Sequence, residues 1–282
     1  MATASAGQRR LAMVTNGGRL AANRDLWLRR VFPLLRAAMR ARYFSLEVEG
    51  LENVPREGRV VFAPNHAGWF ALDAGVLGLA VNDGLGPARL PWFAAADAVF
   101  AAPVLGPFFQ RLGALPASWF RRPEKLPEEI DSCAVFPEGV RGNTKPFWEA
   151  YRMRAWSRGF VRVAAARDAV IVPTAILGGE ECLPVAWTVK VLEPLVGSVF
   201  GLPLSVVPLP VRWKVVFLPP VRLQIRGRKA LMDSEYCAEV ARTVQGAVQE
   251  VLDGEGERYP LARLSAGVAA LHAIGHREGT AR

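Results

Sequence analysis

The chain of 282 residues is 51% hydrophobic and 22% charged, with 35 basic and 26 acidic side chains and a net charge of +9. That length supports a sizeable core, and the apolar content excludes disorder over most of the chain. Cys133, Cys182 and Cys237 are an odd number at wide spacing, which excludes a complete disulfide framework and fits a reducing compartment.

The charge is not evenly spread. Residues 1–44 hold nine arginines and one acid, Asp25, for a net +8, and the remaining 26 basic and 25 acidic residues leave +1. From Arg24 to Phe44 the residues Leu28, Val31, Phe32, Leu35 and Met39 share one side of a helical wheel, while Arg29, Arg36 and Arg40 share another. Pro33 kinks this helix or restarts it. The pattern predicts a basic amphipathic arm in which Trp27, Arg29, Leu35, Arg36 and Arg40 touch lipid. A helix that simply caps the core is the competing reading. The sequence pI of 10.1 would also suit nucleic acid. No nucleic-acid-binding motif is present, however, and the arginines flank an apolar helix face, so no nucleic-acid partner is expected.

Short apolar strands then alternate with helical stretches. Residues 45–49 and 59–63 read as strands, 71–81 as helix, 90–95 as strand and 104–112 as helix. Residues 133–136 read as strand, 156–166 as helix, and the β-branched run 169–177 as a strand covered on both faces. Residues 213–217 and 221–226 read as late strands. Ser234 reads as the cap of a helix reaching about Leu252, and residues beyond about 265 read as a disordered tail. The organisation expected is an arm (1–44), one α/β domain (45–255) with a mixed, mostly parallel sheet flanked by helices, and a C-terminal tail (256–282).

No stretch reads as a membrane span. The longest uncharged run, residues 194–211, carries four prolines in 18 residues, and reads instead as a hydrophobic hairpin that dips into a bilayer or walls a channel. Residues 100–109, with Pro103 and Pro107, suit the same surface. Trp69, Phe70 and Trp92 lie near the first motif below and read either as lining for an apolar path or as core.

Of the three histidines, His272 and His276 sit four apart without a third ligand, so no metal site is expected. His66 follows a strand through Pro64-Asn65 and precedes a helix, the junction at which α/β proteins expose reactive groups. Asp73, in the first turn of that helix, can hold one imidazole nitrogen and raise the basicity of the other. A buried structural histidine would show the same pair. A second strand leads into Phe136-Pro137-Glu138-Gly139-Val140-Arg141-Gly142, whose glycines allow close approach to a ligand and whose arginine suits phosphate or carboxylate. A tight turn with a surface Glu–Arg pair is the plainer reading. No G-x-S-x-G elbow occurs.

In order, Asn65-His66 with Asp73, Arg111-Leu112-Gly113, Phe136 to Arg141, and Val172-Pro173-Thr174 resemble the four blocks of the glycerolipid acyltransferases, the PlsC-like proteins. The usual first block is His-x4-Asp, and here it is His-x6-Asp; Val140 replaces the usual small hydroxyl residue. The longer spacing, with Lys145-Pro146-Phe147, Gly159-Phe160 and Gly178-Gly179-Glu180-Glu181, resembles a branch that includes diacylglycerol-type and phytyl-ester-type enzymes. The resemblance implies transfer of a fatty acyl group from acyl-CoA or acyl-carrier protein to a glycerolipid hydroxyl. His66 would act as base with Asp73, without an acyl-enzyme or bound cofactor. It implies substrate contacts at Asn65, Arg111, Glu138, Gly139, Arg141 and Pro173, and a place on the cytoplasmic face of a membrane. A neutral alcohol acceptor, or a non-catalytic membrane-binding relative, are the alternatives.

Overall fold

A computed structural model of the chain describes residues 26–69, 72–189 and 199–279. Its centre is a seven-stranded sheet of β1 (Phe44–Glu49), β2 (Val60–Pro64), β3 (Trp92–Ala95), β4 (Ala114–Pro116), β5 (Ser132–Ala134), β6 (Val170–Leu177) and β9 (Val211–Phe217). They lie in the order β1-β9-β6-β2-β5-β3-β4. Every neighbouring pair is parallel except β6 and β9. β7 (Val185–Val189) and β8 (Phe200–Pro203) form a separate antiparallel pair. The mixed, mostly parallel α/β architecture read from the sequence is the one observed.

The sheet is covered on both faces, as continuous apolar strands require. Alternate residues serve the two sides: Val60 and Phe62 join one core, Val61 and Ala63 the other. On the first face pack α1 (Phe32–Arg40) and α2 (Leu72–Leu85). On the second pack α4 (Gly159–Arg167) and α5 (Ser234–Gly256); α3 (Leu105–Arg111) lies beyond β3, leading into β4. α6 (Pro260–Gly279) follows α5 after one break.

Several expectations are corrected. Pro33 leaves the helix without one N–H, and the chain winds as a π-turn over Trp27–Val31 directly into α1. Trp27 and Leu35 are buried, not lipid-facing: Trp27 stacks on Phe32 at 5.6 Å, and its indole N–H donates to the Leu112 carbonyl. Arg36 pairs with Asp83 and lies over the Phe32 ring. Arg29 and Arg40 remain exposed. Residues 221–226 make a single bridge, Val221 to Ile171, because Pro219 and Pro220 remove the ladder donors before it. α5 is capped by Asp233, whose carboxylate accepts from Tyr236 N at 2.8 Å, rather than by Ser234. The presumed tail from 265 is instead helical, opened by Pro260 at the first helical position.

Candidate active site

β2, β5 and β3 are parallel and end at one edge of the sheet, and the segments leaving them meet there. The segment after β2 carries His66. Its Nδ1 lies 2.7 Å from Asp73 Oδ2, which also accepts from Ala67 N at 2.9 Å, while Oδ1 accepts from Ala74 N at 2.8 Å. Asp73 has no exposed surface, so its charge is held by three donors in place of water. The longer His-x6-Asp spacing is absorbed by a turn at Gly68, which has φ 77°. A Cβ there would sit 2.1 Å from the Gly179 carbonyl oxygen, so only glycine lets this loop close against the sheet end. Phe136 holds the other side of the imidazole at 4.3 Å between ring centres.

The segment after β5 brings up the second motif. Glu138 Oε1 accepts from His66 N at 3.1 Å, and Oε2 accepts from Arg154 N at 2.7 Å. Gly142 lies against the dyad; a Cβ at this position would come within 2.9 Å of His66 Cβ and 2.7 Å of Glu138 Cβ. Behind Glu138 lies Lys145, almost wholly buried, 3.5 Å from Glu138 Oε2 and 3.6 Å from Glu180 Oε1, donating also to the Arg152 carbonyl at 3.1 Å. Glu180 accepts from Tyr151 N, and the Tyr151 hydroxyl contacts Glu181. Burial raises the Glu180 carboxyl above its ordinary range. Burial and then the Glu180 charge push Glu181 up to about 7. Burial, reinforced by both acids, pushes the Tyr151 phenol up as well. The residues between are strapped to α5: Gln249 bonds Met153 N and Tyr151 O, and Gln245 bonds Trp156 N and Arg154 O.

A cavity of about 1400 Å³ opens over this edge. His66 and Glu138 to Arg141 line it beside the ends of β2 and β5. Toward the α2 face its walls are apolar: Val31, Leu72, Phe93, Phe108 and Leu112. Exposed Val104, Leu105 and Phe108 extend that apolar surface outward.

The structure sorts the expected site residues. His66 and Asp73 are brought together, and Gly139 and exposed Arg141 line the cavity. Glu138 also lines it, but both oxygens are taken by protein donors, so it ties the histidine loop to the 151–157 strap rather than awaiting substrate. Asn65 is fully buried and bridges β2 to β6, donating to Ile176 O at 2.9 Å and accepting from Ile176 N at 2.7 Å. Pro173 sits inside β6, paired with Ala63, where the residues are covered on both faces. Arg111 is exposed at the end of α3, outside the cavity wall. None of these three side chains is part of the cavity wall. Trp92 belongs to the core, Trp69 lies outside the cavity wall, and Phe70 falls outside the described residues. Lys145 and Glu180 were not singled out as site residues, and Gly142 only as a glycine allowing close approach to a ligand; the signal available was their place in the blocks around Phe136 and Gly178. Cys133 is buried in β5, which pushes its thiol up to about 12 and leaves no thiolate to act as nucleophile.

Residues 45–177 match the family model described as Acyltransferase, a range that contains the dyad and the second motif. That segment, a little under half of the chain, is an acyltransferase domain. The fold is similar to the crystal structure of the 1-acyl-sn-glycerophosphate (LPA) acyltransferase PlsC from Thermotoga maritima. The TM-score is 0.55, at 17% identity over 90% of this chain and 88% of that one. Uncharacterized proteins of Mycobacterium tuberculosis and Mycobacterium bovis are each 34% identical over 232 residues, 79% of this chain and 64% of theirs. One of Mycobacterium leprae is 34% identical over 230 residues, 78% of this chain and 62% of its own. The chain thus spans a little under two thirds of these curated relatives' length.

Proposed function

We propose that this protein moves a fatty acyl group from an acyl thioester, acyl-CoA or acyl-carrier protein, to a hydroxyl of a glycerolipid such as a lysophospholipid. The observation that carries the reading is the His66–Asp73 pair, 2.7 Å apart, on the wall of a cavity apolar toward one face. With Nδ1–H donated to Asp73, Nε2 of His66 is the free acceptor. It takes the hydroxyl proton as the alcohol oxygen attacks the thioester carbon, and Asp73 stabilises the imidazolium that forms. The tetrahedral intermediate then expels the thiolate, which recovers the proton from His66. The products are an ester and a thiol, with no acyl-enzyme. Exposed Arg141 on the cavity wall supports an anionic acceptor head group over a neutral alcohol.

The same reading places the protein on the cytoplasmic face of a membrane. No helix among the described residues is long and apolar enough to cross one. Support comes from exposed Arg29, Arg30 and Arg40 around exposed Leu34, and from exposed Val104 and Leu105 beside the apolar lobe. The β7–β8 strand pair adds Trp187 and Leu202, and the segment after β8 adds Val206 and Val207, all more than half exposed.

The test incubates purified protein with labelled acyl-CoA and a panel of lysophospholipids, diacylglycerol and long-chain alcohols. Ester formation with a lysophospholipid, abolished in folded His66→Ala, is expected. Unchanged turnover in that variant, or no turnover with any acceptor, overturns the reading.

A further inference from the structure

The cavity exceeds the roughly 300–1000 Å³ usual for one small ligand, and its second end has a different chemistry. Where it passes over the strand ends to the α4 and α5 face, arginines line it. Arg158 and Arg162 are four residues apart at the start of α4 and share one side of it. On α5, Ala238, Ala241, Arg242 and Gln245 recur at three- and four-residue steps, so one face of that helix, with Arg242, turns to the cavity. Arg158 is oriented by donating to the Ser234 carbonyl at 3.1 Å. Among the described residues, neither Arg162 nor Arg242 pairs with a carboxylate.

The lining is unbalanced in charge. Among the described residues it contains five arginines and two acids, and both acids are committed. Asp97 accepts from Ser118 and Arg121, and Glu138 holds His66, Arg154 and Lys145. Among the described residues, the buried Trp156 indole N–H and Asn143 Oδ1 on the wall also have no protein partner, one unused donor and one unused acceptor.

We propose that Arg158, Arg162 and Arg242 bind the phosphates of a coenzyme A thioester entering from the α4 and α5 side, apart from the acceptor head group at Arg141. This rests on the acyl-transfer reading. An acyl chain filling the apolar lobe on the α2 face puts the thioester at His66. Its sulfur and carrier must then lead away from the chain, to the opposite face, where the arginines are. Guanidinium forks match phosphate oxygens, and coenzyme A carries a diphosphate and a ribose phosphate. Three cationic side chains lining the cavity suit such a small polyphosphate molecule better than a protein carrier with a single phosphodiester.

The experiment is calorimetric titration of the full chain with coenzyme A, which cannot transfer an acyl group, and separately with glycerol 3-phosphate. Both substituted arginines are exposed, so Arg162→Ala/Arg242→Ala should fold, which its melting temperature checks. The double variant should weaken coenzyme A binding at least tenfold and flatten its salt dependence, while glycerol 3-phosphate binding is unchanged. Arg162→Lys/Arg242→Lys should recover part of the loss. Coenzyme A binding within twofold of the parent overturns the proposal, as does loss of glycerol 3-phosphate binding with coenzyme A binding intact. Arginine-dependent coenzyme A binding by a chain that acylates no acceptor would refute the acyl-transfer reading and leave the phosphate site standing.

Discussion

Asp73→Asn is the sharpest probe of the dyad, because the structure fixes what the exchange must break. Asp73 Oδ2 accepts from both His66 Nδ1 and Ala67 N, and Oδ1 accepts from Ala74 N at 2.8 Å. Asparagine offers one oxygen and one NH2 group. With its oxygen toward His66, the NH2 meets the Ala74 N–H, donor against donor. Flipped, the NH2 faces both the Ala67 N–H and His66 Nδ1. That orientation forces the proton of the neutral imidazole onto Nε2, so the base becomes a donor. Each buried donor left unmade costs about 1–3 kcal/mol of stability. In either orientation the imidazolium loses its counter-charge, and the same exchange behind the histidine of a Ser-His-Asp triad lowers turnover about 10⁴-fold. We expect kcat to fall about 10³- to 10⁴-fold, about 4–5 kcal/mol of barrier, with little change in KM for the thioester. The assay follows thiol release with a chromogenic disulfide in the presence of acceptor, alongside a melting curve. A folded Asp73→Asn protein retaining a tenth or more of parental kcat would show that Asp73 does not support the base, and the dyad would reduce to a structural contact.

Gly142→Ala places a Cβ within 2.9 Å of His66 Cβ; it should cost about 1–3 kcal/mol of stability and lower kcat about 10²-fold by moving the base, measured by melting and thiol release. Lys145→Met leaves Glu138 and Glu180 facing each other without their cation, so chemical denaturation should show a loss of about 3–5 kcal/mol at pH 8, reduced toward acid pH as Glu180, whose carboxyl burial raises, takes up its proton. Glu181 holds its proton more tightly folded, at about 7 against an ordinary 4.5, so its contribution is complete below pH 4.5 and about 3 kcal/mol is lost as pH rises to 7. Glu181→Gln, which mimics the protonated acid, should flatten that stretch of the stability curve and raise the melting temperature at pH 8. Replacing Arg29, Arg30 and Arg40 by Glu should weaken sedimentation with anionic vesicles by at least tenfold at low salt while leaving neutral vesicles unaffected; equal binding would remove the helix from the membrane surface.

The strand–loop–helix setting of His66 was legible because apolar runs of strand length alternate with helical periodicity around it. The N-terminal helix was legible as a helix but not in its orientation. A stripe of Trp27, Phe32 and Leu35 serves a bilayer or a core equally well, and only the sheet packed beneath it decides. The resemblance implied Asn65 as a substrate contact, yet its amide completes the backbone of Ile176, a partner 111 residues away. Lys145 was hidden for the opposite reason: lysines are seldom buried unless paired, and its two carboxylate partners come from loops after different strands. β4 and β5, of three residues each, are too short for periodicity to show; β5 was found only through its apolar run. α6 was missed although Leu261, Leu264, Val268 and Leu271 recur at three- and four-residue steps; its first turns are anchored where Leu261 N donates to Glu181 and Ser265 is buried.

The position of the cavity follows from topology rather than from any one residue. β2 and β5 are neighbours in the sheet and parallel. From β2 the chain leaves through α2 on one face and returns as β3, on the far side of β5. From β5 it leaves through α4 on the other face and returns as β6, on the far side of β2. Adjacent strands thus send their connections in opposite directions, and in open α/β sheets that divergence opens a crevice beyond the carboxyl ends of the strands. His66 and Glu138 stand at the two lips of that crevice and are joined by the bond from His66 N to Glu138 Oε1, 3.1 Å. One lip leads to the apolar walls by α2, the other to the arginines of α4 and α5. Under the proposed acyl transfer from coenzyme A, the base belongs at such a divide, because the thioester is the point at which the two halves of the donor meet.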